Sequence, residues 1–529
     1  MEFADELIIL VFVLQAIYSL YQRMTGGRQA EEAAELEAPP AQDDRETWAV
    51  MLDRARDQID RAEDGAARLR ERAARLRDRL GLPALAPLRA AVERHLLPPI
   101  DRLRERLADL SAHLDDVDER PERVAHWFAR SAELGETFGA LAALEGRFVL
   151  LDGAARWLGD ADLARLVREA EAVAAALLAP LAAGDHRWPQ APPICLPAPR
   201  DDLDVGALFP DRPVVLLPPA FADEARRWPA LVDAVARTIL RVRPGLLAGP
   251  RSLLPGEERA WLPRLQGRVA VFDLDAAGRA WLPTLAADTL AVMMMGPAAL
   301  RGAMRRLASP DDPDAVTRVE AGADPRLVDE TPPPHLRVEL MAHTLAKMGA
   351  TGRAEKLLAQ WRRTHDHPEA LRLPSLFGES VRLPVARAVE RLAPVVDRLR
   401  AGRHDALGGR PLSAMPGFEM GPGRWARVRR RVEALVGGQR FHDDPRVAVA
   451  AAIVAADRLG GFGPRLSRAL RDAILAADER RLPDPNYHPA SPRLDAPLVG
   501  RELIEAVALR AAWRRPHRHP SAPKRWARG

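Results

Sequence analysis

The strongest pattern in the chain is a heptad repeat of apolar residues that begins at Leu52. Apolar side chains recur at alternating spacings of three and four as far as Leu80, and the positions between them are largely Arg, Asp and Glu. Such a seam is typical of a helix that packs along its length against another helix. A second seam runs from Ile100 to Val117. The two seams predict an antiparallel helical hairpin, and an oligomerising coiled coil through residues 48–120, making a homo-oligomer, is the alternative.

Beyond the hairpin, most of the chain keeps the apolar periodicity of helices. The helical patterns cover residues 125–183, 225–243, 281–306, 335–363, 381–401 and about 424–480. Two short apolar runs, Pro213–Pro219 and Arg268–Phe272, are typical of short strands. The expected fold class is therefore mainly α, with an N-terminal helical hairpin or coiled coil, a central α+β region and a C-terminal helical block.

Changes in composition along the chain predict its domain boundaries. A proline-rich segment, His186 to Asp204, separates the hairpin region from the centre. The expected segments are an apolar helix at 1–24, an acidic linker at 25–47, a helical hairpin or bundle at 48–185, a core at 205–350, a helical domain at 351–480 and a loop-rich basic tail at 481–529.

The N-terminal apolar segment at residues 7–21 reads LIILVFVLQAIYSLY. Acidic residues precede it and Arg23 and Arg28 follow, which favours a membrane anchor with the body of the protein in the cytoplasm. A helix that docks on protein is the alternative. The bias toward Ala, Leu and Arg is typical of a GC-rich bacterial genome. The expected location is therefore the bacterial inner membrane, with a cytoplasmic protein as the alternative.

Composition narrows the function classes further. Hydrophobic residues make up 47% of the chain and charged residues 29%, which is the balance of a globular protein. The net charge is only +4 and no broad basic face is evident, so no nucleic-acid partner is expected. The single cysteine, Cys195, excludes an intramolecular disulfide and a cysteine-based metal cluster.

A series of short motifs between residues 213 and 337 has an order that suggests a family. The apolar run PVVLLPP at 213–219 precedes a helical pattern at 229–238, and WLPTLAAD at 281–288 follows. Gly296-Pro297-Ala298 and the PPHLR segment at 333–337 come next. This frame resembles the core of uncharacterised bacterial zincin-like metallopeptidases. The resemblance implies a zincin-like α+β core at 205–350.

The resemblance also implies where a zinc site would lie. In such peptidases, a His-Glu-x-x-His helix supplies two zinc ligands and a base, and a carboxylate on a second helix supplies the third ligand. This chain has Asp233 and Arg237 at the histidine places, Ala234 at the glutamate place and Thr284 at the third-ligand place. Only Asp288, the expected orienting residue, matches the family. Asp233 and Arg237 are four residues apart on one predicted helix and are expected to form a salt bridge, which Asp288 is expected to reach as well. The chain is therefore expected to have lost its zinc ligands, with no cofactor, metal site or catalytic residue.

One other motif resembles an enzyme site. Phe272-Asp273-Leu274-Asp275 follows the second apolar run, as the nucleophile motif does in haloacid-dehalogenase-type phosphatases. Those enzymes are built on a parallel α/β sheet, and this chain lacks the alternation of strands and helices that such a sheet requires. A loop after a short strand is the favoured interpretation.

These observations predict a pseudoenzyme. The expected function is that of a non-enzymatic structural, scaffold or regulatory protein, namely a catalytically dead metallopeptidase-like protein with an unidentified protein partner. An N-terminal helix would tether it. The alternatives are a metallohydrolase whose ligands are not recognised, and a coiled-coil subunit of a larger membrane-associated assembly.

Overall fold

A computed structural model describes most of the chain between residues 42 and 478. The described residues are 42–82, 85–119, 124–185, 187–198, 208–224, 226–256, 264–266, 269–309, 312–322, 327–373, 381–439 and 443–478. The fold is mainly α-helical, as predicted. The chain divides into two compact units, unit 1 (1–155 and 203–208) and unit 2 (156–202 and 209–529). The boundary near residue 155 lies inside the bundle predicted at 48–185.

The described part of unit 1 consists of three long helices and two short helical segments. In chain order they are α1 (Gln42–Arg79), the short α2 (Ala86–Ala91), a π-helical turn (Val92–Leu96), α3 (Leu97–Glu119) and α4 (Val124–Gly159), which continues past the boundary of the unit. Helices α1 and α3 are antiparallel, because Arg56 pairs with Asp115 while Arg70 pairs with Asp101 farther along α1. The predicted hairpin is confirmed.

The heptad seam of unit 1 is buried within the unit itself. Ile59, Leu69 and Leu76 on α1 are each no more than 1% exposed. Helix α4 also lies along α1, since a Cβ on Gly65 would approach Leu141 to 3.4 Å and Arg72 lies over the ring of Phe148. Apolar burial at these positions stabilises the unit.

Unit 2 begins with two helices that flank a small parallel sheet. Helix α5 (Ala161–Gly184) precedes β1 (Ile194–Pro197) and β2 (Val214–Leu217). A 3₁₀ turn (Pro219–Ala222) leads to α6 (Arg227–Val242), and another (Pro244–Leu247) leads to the single turn α7 (Ala248–Arg251).

The centre of unit 2 follows the hairpin of β3 (Arg264–Gln266) and β4 (Val269–Val271). Its helices are α8 (Leu274–Met295), α9 (Pro297–Leu307), α10 (Pro334–Leu345) and α11 (Thr351–Thr364), with a 3₁₀ turn (Pro313–Val316) before α10 and a π-helical turn (Ala346–Ala350) after it.

The remainder of unit 2 starts with an antiparallel hairpin of β5 (Ala370–Leu373) and β6 (Val381–Pro384). Helices α12 (Val385–Ala401), α13 (Pro422–Val436), α14 (Pro445–Arg458) and α15 (Pro464–Asp478) follow, with 3₁₀ turns at Asp405–Leu407 and Leu412–Ala414.

The strands agree only partly with the sequence prediction. Val214–Leu217 and Val269–Val271 are strands, as expected. The proline-rich segment predicted as a boundary contains β1, which pairs in parallel with β2 from Ile194 opposite Val214 to Pro197 opposite Leu217. Burial explains this strand, because all four of its side chains are buried and the paired backbone needs hydrogen-bond partners there.

Helix α8 forms the centre of the core in unit 2. From Trp281 to Met295, every side chain except that of Pro283 is buried. Its C-terminal carbonyls are bound by Arg446 of α14, which is 1% exposed and donates to the carbonyl oxygens of Met293 and Met294. The same guanidinium group also donates to the backbone carbonyl oxygens of Gly417 and Phe418. It thereby supplies a donor to the carbonyl oxygen of Met294 and a second donor to that of Met293, which also accepts from the backbone N–H of Met420.

The prediction of a transmembrane helix is corrected. Within the described residues, no helix is both long enough and apolar enough to cross a bilayer. The apolar segment at 7–21, on which that prediction depended, lies outside the described residues, as do the linker before residue 42 and the basic tail after residue 478.

Candidate functional site

The site predicted from the family resemblance lies among four helices of unit 2. Helix α6 carries Asp233, Ala234 and Arg237, and it packs against α8, which carries Thr284 and Asp288. The amphipathic pattern of α6 explains its placement, because the side chains around Asp233 and Arg237 are buried while these two lie at the edge of the apolar face.

Asp288 is paired with an arginine that sequence reasoning did not assign. Arg337 on α10 donates from Nε to Oδ2 of Asp288 at 2.7 Å and from Nη2 to Oδ1 at 2.8 Å. Asp288 is 3% exposed and Arg337 is 6% exposed, so this two-pronged ion pair is almost dry. Burial disfavours the charge of Arg337, but the charge and hydrogen bonds of Asp288 outweigh it and raise the pKa of Arg337.

Asp233 is held by two other arginines. Nε of Arg237, one helical turn later, lies 3.2 Å from Oδ2, and Nη2 of Arg306 on α9 lies 3.4 Å from Oδ1. Burial alone would raise the pKa of Asp233, but the charges of Arg306, Arg237 and Arg337 lower it to about 2. The influence of Arg337 links the two aspartates into one charge network, which we define as Asp233, Arg237, Asp288, Arg306 and Arg337.

A close approach of two helices places Arg306. A Cβ on Gly302 of α9 would lie 2.8 Å from the Cβ and Cγ of Pro229 on α6, so only glycine fits at this crossing. Arg306 follows Gly302 by one turn, and Asp233 follows Pro229 by one turn. The pairs therefore face each other, and Nη1 of Arg306 also reaches the carbonyl oxygen of Pro229 at 3.4 Å.

The two remaining predicted positions are buried. Ala234 is 5% exposed, and its carbonyl oxygen accepts a hydrogen bond from Oγ1 of Thr238 at 2.9 Å. Thr284 is 5% exposed and lies one turn before Asp288 on α8. The predicted pairing of Asp233 with Arg237 is present, whereas Asp288, predicted to reach Arg237, is bound by Arg337.

The residues at this site do not fit a zinc ion. Zinc in proteins takes neutral imidazole, thiolate or carboxylate ligands that face one point. Here the two carboxylates already accept hydrogen bonds from three guanidinium groups, and these fixed positive charges oppose a dication. Across the described residues, no three His, Cys, Asp or Glu side chains lie close enough to hold a metal ion.

Arg306 and Arg337 were not predicted from the sequence. Arg337 belongs to the PPHLR segment that carries the family resemblance, and it is the single arginine of the helix Pro334–Leu345, which was the available signal. Arg306 had no such signal, because its role depends on the crossing at Gly302.

A second buried polar cluster lies on α10. Nδ1 of His335, a fully buried residue, accepts a hydrogen bond from the indole Nε1 of Trp361 at 2.8 Å, so the imidazole carries its proton on Nε2. Nε2 lies 3.4 Å from Oε1 of Glu339, whose carboxylate takes a two-pronged contact from Arg362. Burial, together with the charges of Arg362 and His365, lowers the pKa of His335 to about 4.

A cavity of about 690 Å³ lies near the start of α8. Its lining includes the Asp-x-Asp motif. Asp273 caps α8 by accepting from the backbone N–H groups of Asp275 and Ala276 at 3.0 Å each, and Asp275 is bound by Arg391. Both carboxylates therefore have structural partners, which supports the interpretation of this motif as a loop at a helix start.

The chain matches no protein-family model, no curated protein and no solved structure. The zincin resemblance therefore stays a prediction that rests on the motif frame.

Proposed function

We propose that the chain is a non-enzymatic structural protein, a catalytically dead counterpart of a metallopeptidase, that presents its helices to a protein partner. One observation carries the proposal: both aspartates at the place of the predicted zinc site have their oxygens bound by arginine side chains of the same chain. In a zinc peptidase with this motif frame, the position of Asp233 would supply a zinc ligand and that of Asp288 would orient the site.

The protonation of these groups supports the proposal. A general base works best when its pKa is near the operating pH. Asp233 has a pKa of about 2, so its carboxylate is a poor proton acceptor near neutrality. The guanidinium groups of the network only donate hydrogen bonds and offer no acceptor for a proton. Asp233 is therefore not suited to activate water, and both carboxylate oxygens of Asp288 are already bound by Arg337.

The energetics of the network fit a structural role. Buried ion pairs contribute little net stability compared with well-packed apolar residues, but removal of one partner is strongly destabilising. The network joins α6, α8, α9 and α10 through pairs separated by 49 and 73 residues. Its role would be to fix one arrangement of these helices, since a slipped arrangement would leave charges buried without partners.

A peptide-hydrolysis assay tests the proposal. The wild-type protein and the Asp288→Asn variant would be incubated with a diverse peptide mixture, with and without added zinc, and the products followed by mass spectrometry. We expect no cleavage above buffer from either protein. Metal-dependent cleavage by the wild type would contradict the proposal. Its disappearance in Asp288→Asn protein that keeps the wild-type circular dichroism spectrum would identify Asp288 as a catalytic group.

A metallohydrolase with other ligands would give a different result. Its cleavage would depend on metal and would persist in Asp288→Asn. That outcome would reject the non-enzymatic proposal, although the charge network would keep its structural role.

A second variant tests the family resemblance. Ala234→Glu combined with Arg237→His should not produce a peptidase, because Thr284 offers no third carboxylate ligand. Peptidase activity in that variant would show that the family frame supplies a ligand elsewhere.

A further inference from the structure

Five arginines of unit 2 lie together where four helices meet. Arg301 and Arg305 belong to α9, Arg353 to α11, Arg429 to α13 and Arg458 to α14. These helices pack on one another, with α14 in contact with both α9 and α13. We refer to these five residues as the arginine patch. It shares α9 with the charge network but none of its residues.

The acidic groups of the patch are too few to balance it. Asp457 of α14 pairs with both Arg301 and Arg305, and Glu433 of α13 pairs with Arg458 at 2.5 Å. Two carboxylates among five guanidinium groups leave three positive charges in excess. Arg353 and Arg429 form no ion pair with a carboxylate of the described residues. An uncompensated cluster of this kind attracts anions.

Arg353 lies at the centre of the excess charge. Its guanidinium stands 5.9 Å from the ring centre of Trp425, and its Nε is buried without a hydrogen-bond acceptor in the described part of the chain. Burial lowers the pKa of Arg353, and the charges of Arg301, Arg429 and Arg458 lower it further. A negatively charged hydrogen-bond acceptor at this point would bind Nε of Arg353 and reduce the repulsion among the neighbouring guanidinium groups.

The spacing of residues along α13 explains how this helix contributes to the arginine patch. Trp425, Arg429 and Glu433 recur every four residues and therefore share one face of the helix. Trp425 faces Arg353 of α11, and Glu433 faces Arg458 of α14. Arg429 lies between them, on the face where the positive charge exceeds the negative.

We propose that the arginine patch binds the phosphate groups of a small anionic ligand. Planar guanidinium groups donate paired hydrogen bonds that match phosphate oxygens, which is why arginine is the usual choice for such anions. An excess of three charges suits a multiply charged phosphate or diphosphate better than a carboxylate, which supplies one negative charge. This assignment does not depend on the absence of enzymatic activity.

Calorimetric titration with inorganic pyrophosphate at low salt tests the assignment. We expect wild-type protein to bind about one equivalent, and Arg353→Gln and Arg429→Gln each to weaken binding at least about tenfold. Arg363→Gln is the matched control, because Arg363 lies exposed on the same helix as Arg353. It should change the affinity less than about twofold. Acetate should bind far more weakly than pyrophosphate.

Several results would overturn the assignment. These are no heat of binding in the wild type, an equal loss in Arg363→Gln, or equal affinity for acetate. A single-stranded oligonucleotide that binds more tightly than pyrophosphate, with the same dependence on Arg353 and Arg429, would reject a small ligand in favour of nucleic acid. Arg429 is exposed, so Arg429→Gln keeps the test valid even if Arg353→Gln is poorly folded.

Discussion

Two buried arginines, Arg337 and Arg446, donate hydrogen bonds to different parts of helix α8. Arg337 binds the middle of α8 through the carboxylate of Asp288, whereas Arg446 binds its C-terminal end through the main-chain carbonyls of Met293 and Met294. The pKa of Arg337 is raised by its counter-ion. Burial, with the charge of Arg424, lowers the pKa of Arg446 to about 9 despite the opposing charge of Asp444.

The two arginines differ in which substitutions the protein can accept at each position. The partner of Arg337 is a side chain, so the pair could be replaced as a unit by apolar residues without leaving a polar group unsatisfied. The partners of Arg446 are backbone oxygens, which no substitution removes. A helix end that is buried in this way needs a donor from outside, because its last carbonyls have no intrahelical partner.

The largest expected effect is the loss of one partner of the Arg337 pair. Asp288→Asn would leave Arg337 buried without its counter-ion, and the free energy of unfolding should fall by about 3–5 kcal/mol. The double variant Asp288→Leu with Arg337→Met should recover most of that loss. Urea denaturation measures both.

An exposed ion pair of unit 1 provides the control for that prediction. Arg70 and Asp101 are each more than 40% exposed, and Arg70→Gln should cost less than about 1 kcal/mol. If Asp288→Asn costs no more than Arg70→Gln, the Asp288–Arg337 pair does not hold the helices.

Substitution of Arg446 should lower the free energy of unfolding, and no second substitution should restore it. Arg446→Met removes one donor from each of four carbonyl oxygens, and those of Met293 and Gly417 keep a second donor from Met420 and Arg424. The free energy of unfolding should fall by about 3 kcal/mol. Amide exchange at Met420, whose N–H donates to the carbonyl oxygen of Met293 at 2.8 Å, should become faster. A cost below about 1 kcal/mol would mean that water replaces the guanidinium at the helix end.

Acid pH should affect the stability that comes from α10 but not the contacts of Arg446. Helix α10 carries groups that titrate, whereas the partners of Arg446 are backbone carbonyls, which do not. The pKa of His335 falls from 6.5 to about 4 on folding, so the unfolded chain binds the proton more tightly. Stability from this residue is complete above pH 6.5 and is lost as the pH falls toward 4, by about 3 kcal/mol in all.

His335→Asn tests the acid dependence, since the asparagine Oδ1 can still accept from Trp361. This variant should flatten the fall in stability between pH 6.5 and 4, while Arg446→Met should keep the wild-type slope. Equal slopes in the wild type and His335→Asn would show that His335 titrates normally in the folded protein.

The smallest expected effect concerns the placement of Arg306. Gly302→Ala would force a methyl group against Pro229 and separate α9 from α6, at a cost of about 1–3 kcal/mol. Gly423→Ala on α13 is the matched control, because a Cβ there meets no atom within 4 Å. Similar stabilities of the two variants would mean that the crossing of α6 and α9 is not tight.

Local patterns in the sequence predicted much of the fold. The heptad seam predicted the hairpin of α1 and α3, and apolar periodicity predicted the main helices of unit 2. The spacing of Asp233 and Arg237 predicted their pairing, because residues four apart on a helix are neighbours. Each of these features depends on residues that are close in sequence or share one helix face.

Long-range contacts could not be predicted in the same way. The pairing of Asp288 with Arg337 joins residues 49 apart, and it depends on how α8 and α10 pack. Strand β1 was missed because its prolines resemble those of a loop, whereas burial beside β2 determines its structure. Arg446 was missed because its partners are backbone atoms, which leave no trace in a residue pattern.

Arginines occupy the place where the zincin-like motif frame predicts a zinc site. Elemental analysis of the purified wild-type protein, after dialysis against buffer containing zinc and then against zinc-free buffer, tests it most directly. We expect far less than one zinc per chain, and no increase in Asp288→Asn. One tightly held zinc per chain in the wild type, lost on substitution of Asp233 or Asp288, would show that these residues bind metal and that the arginines do not exclude it.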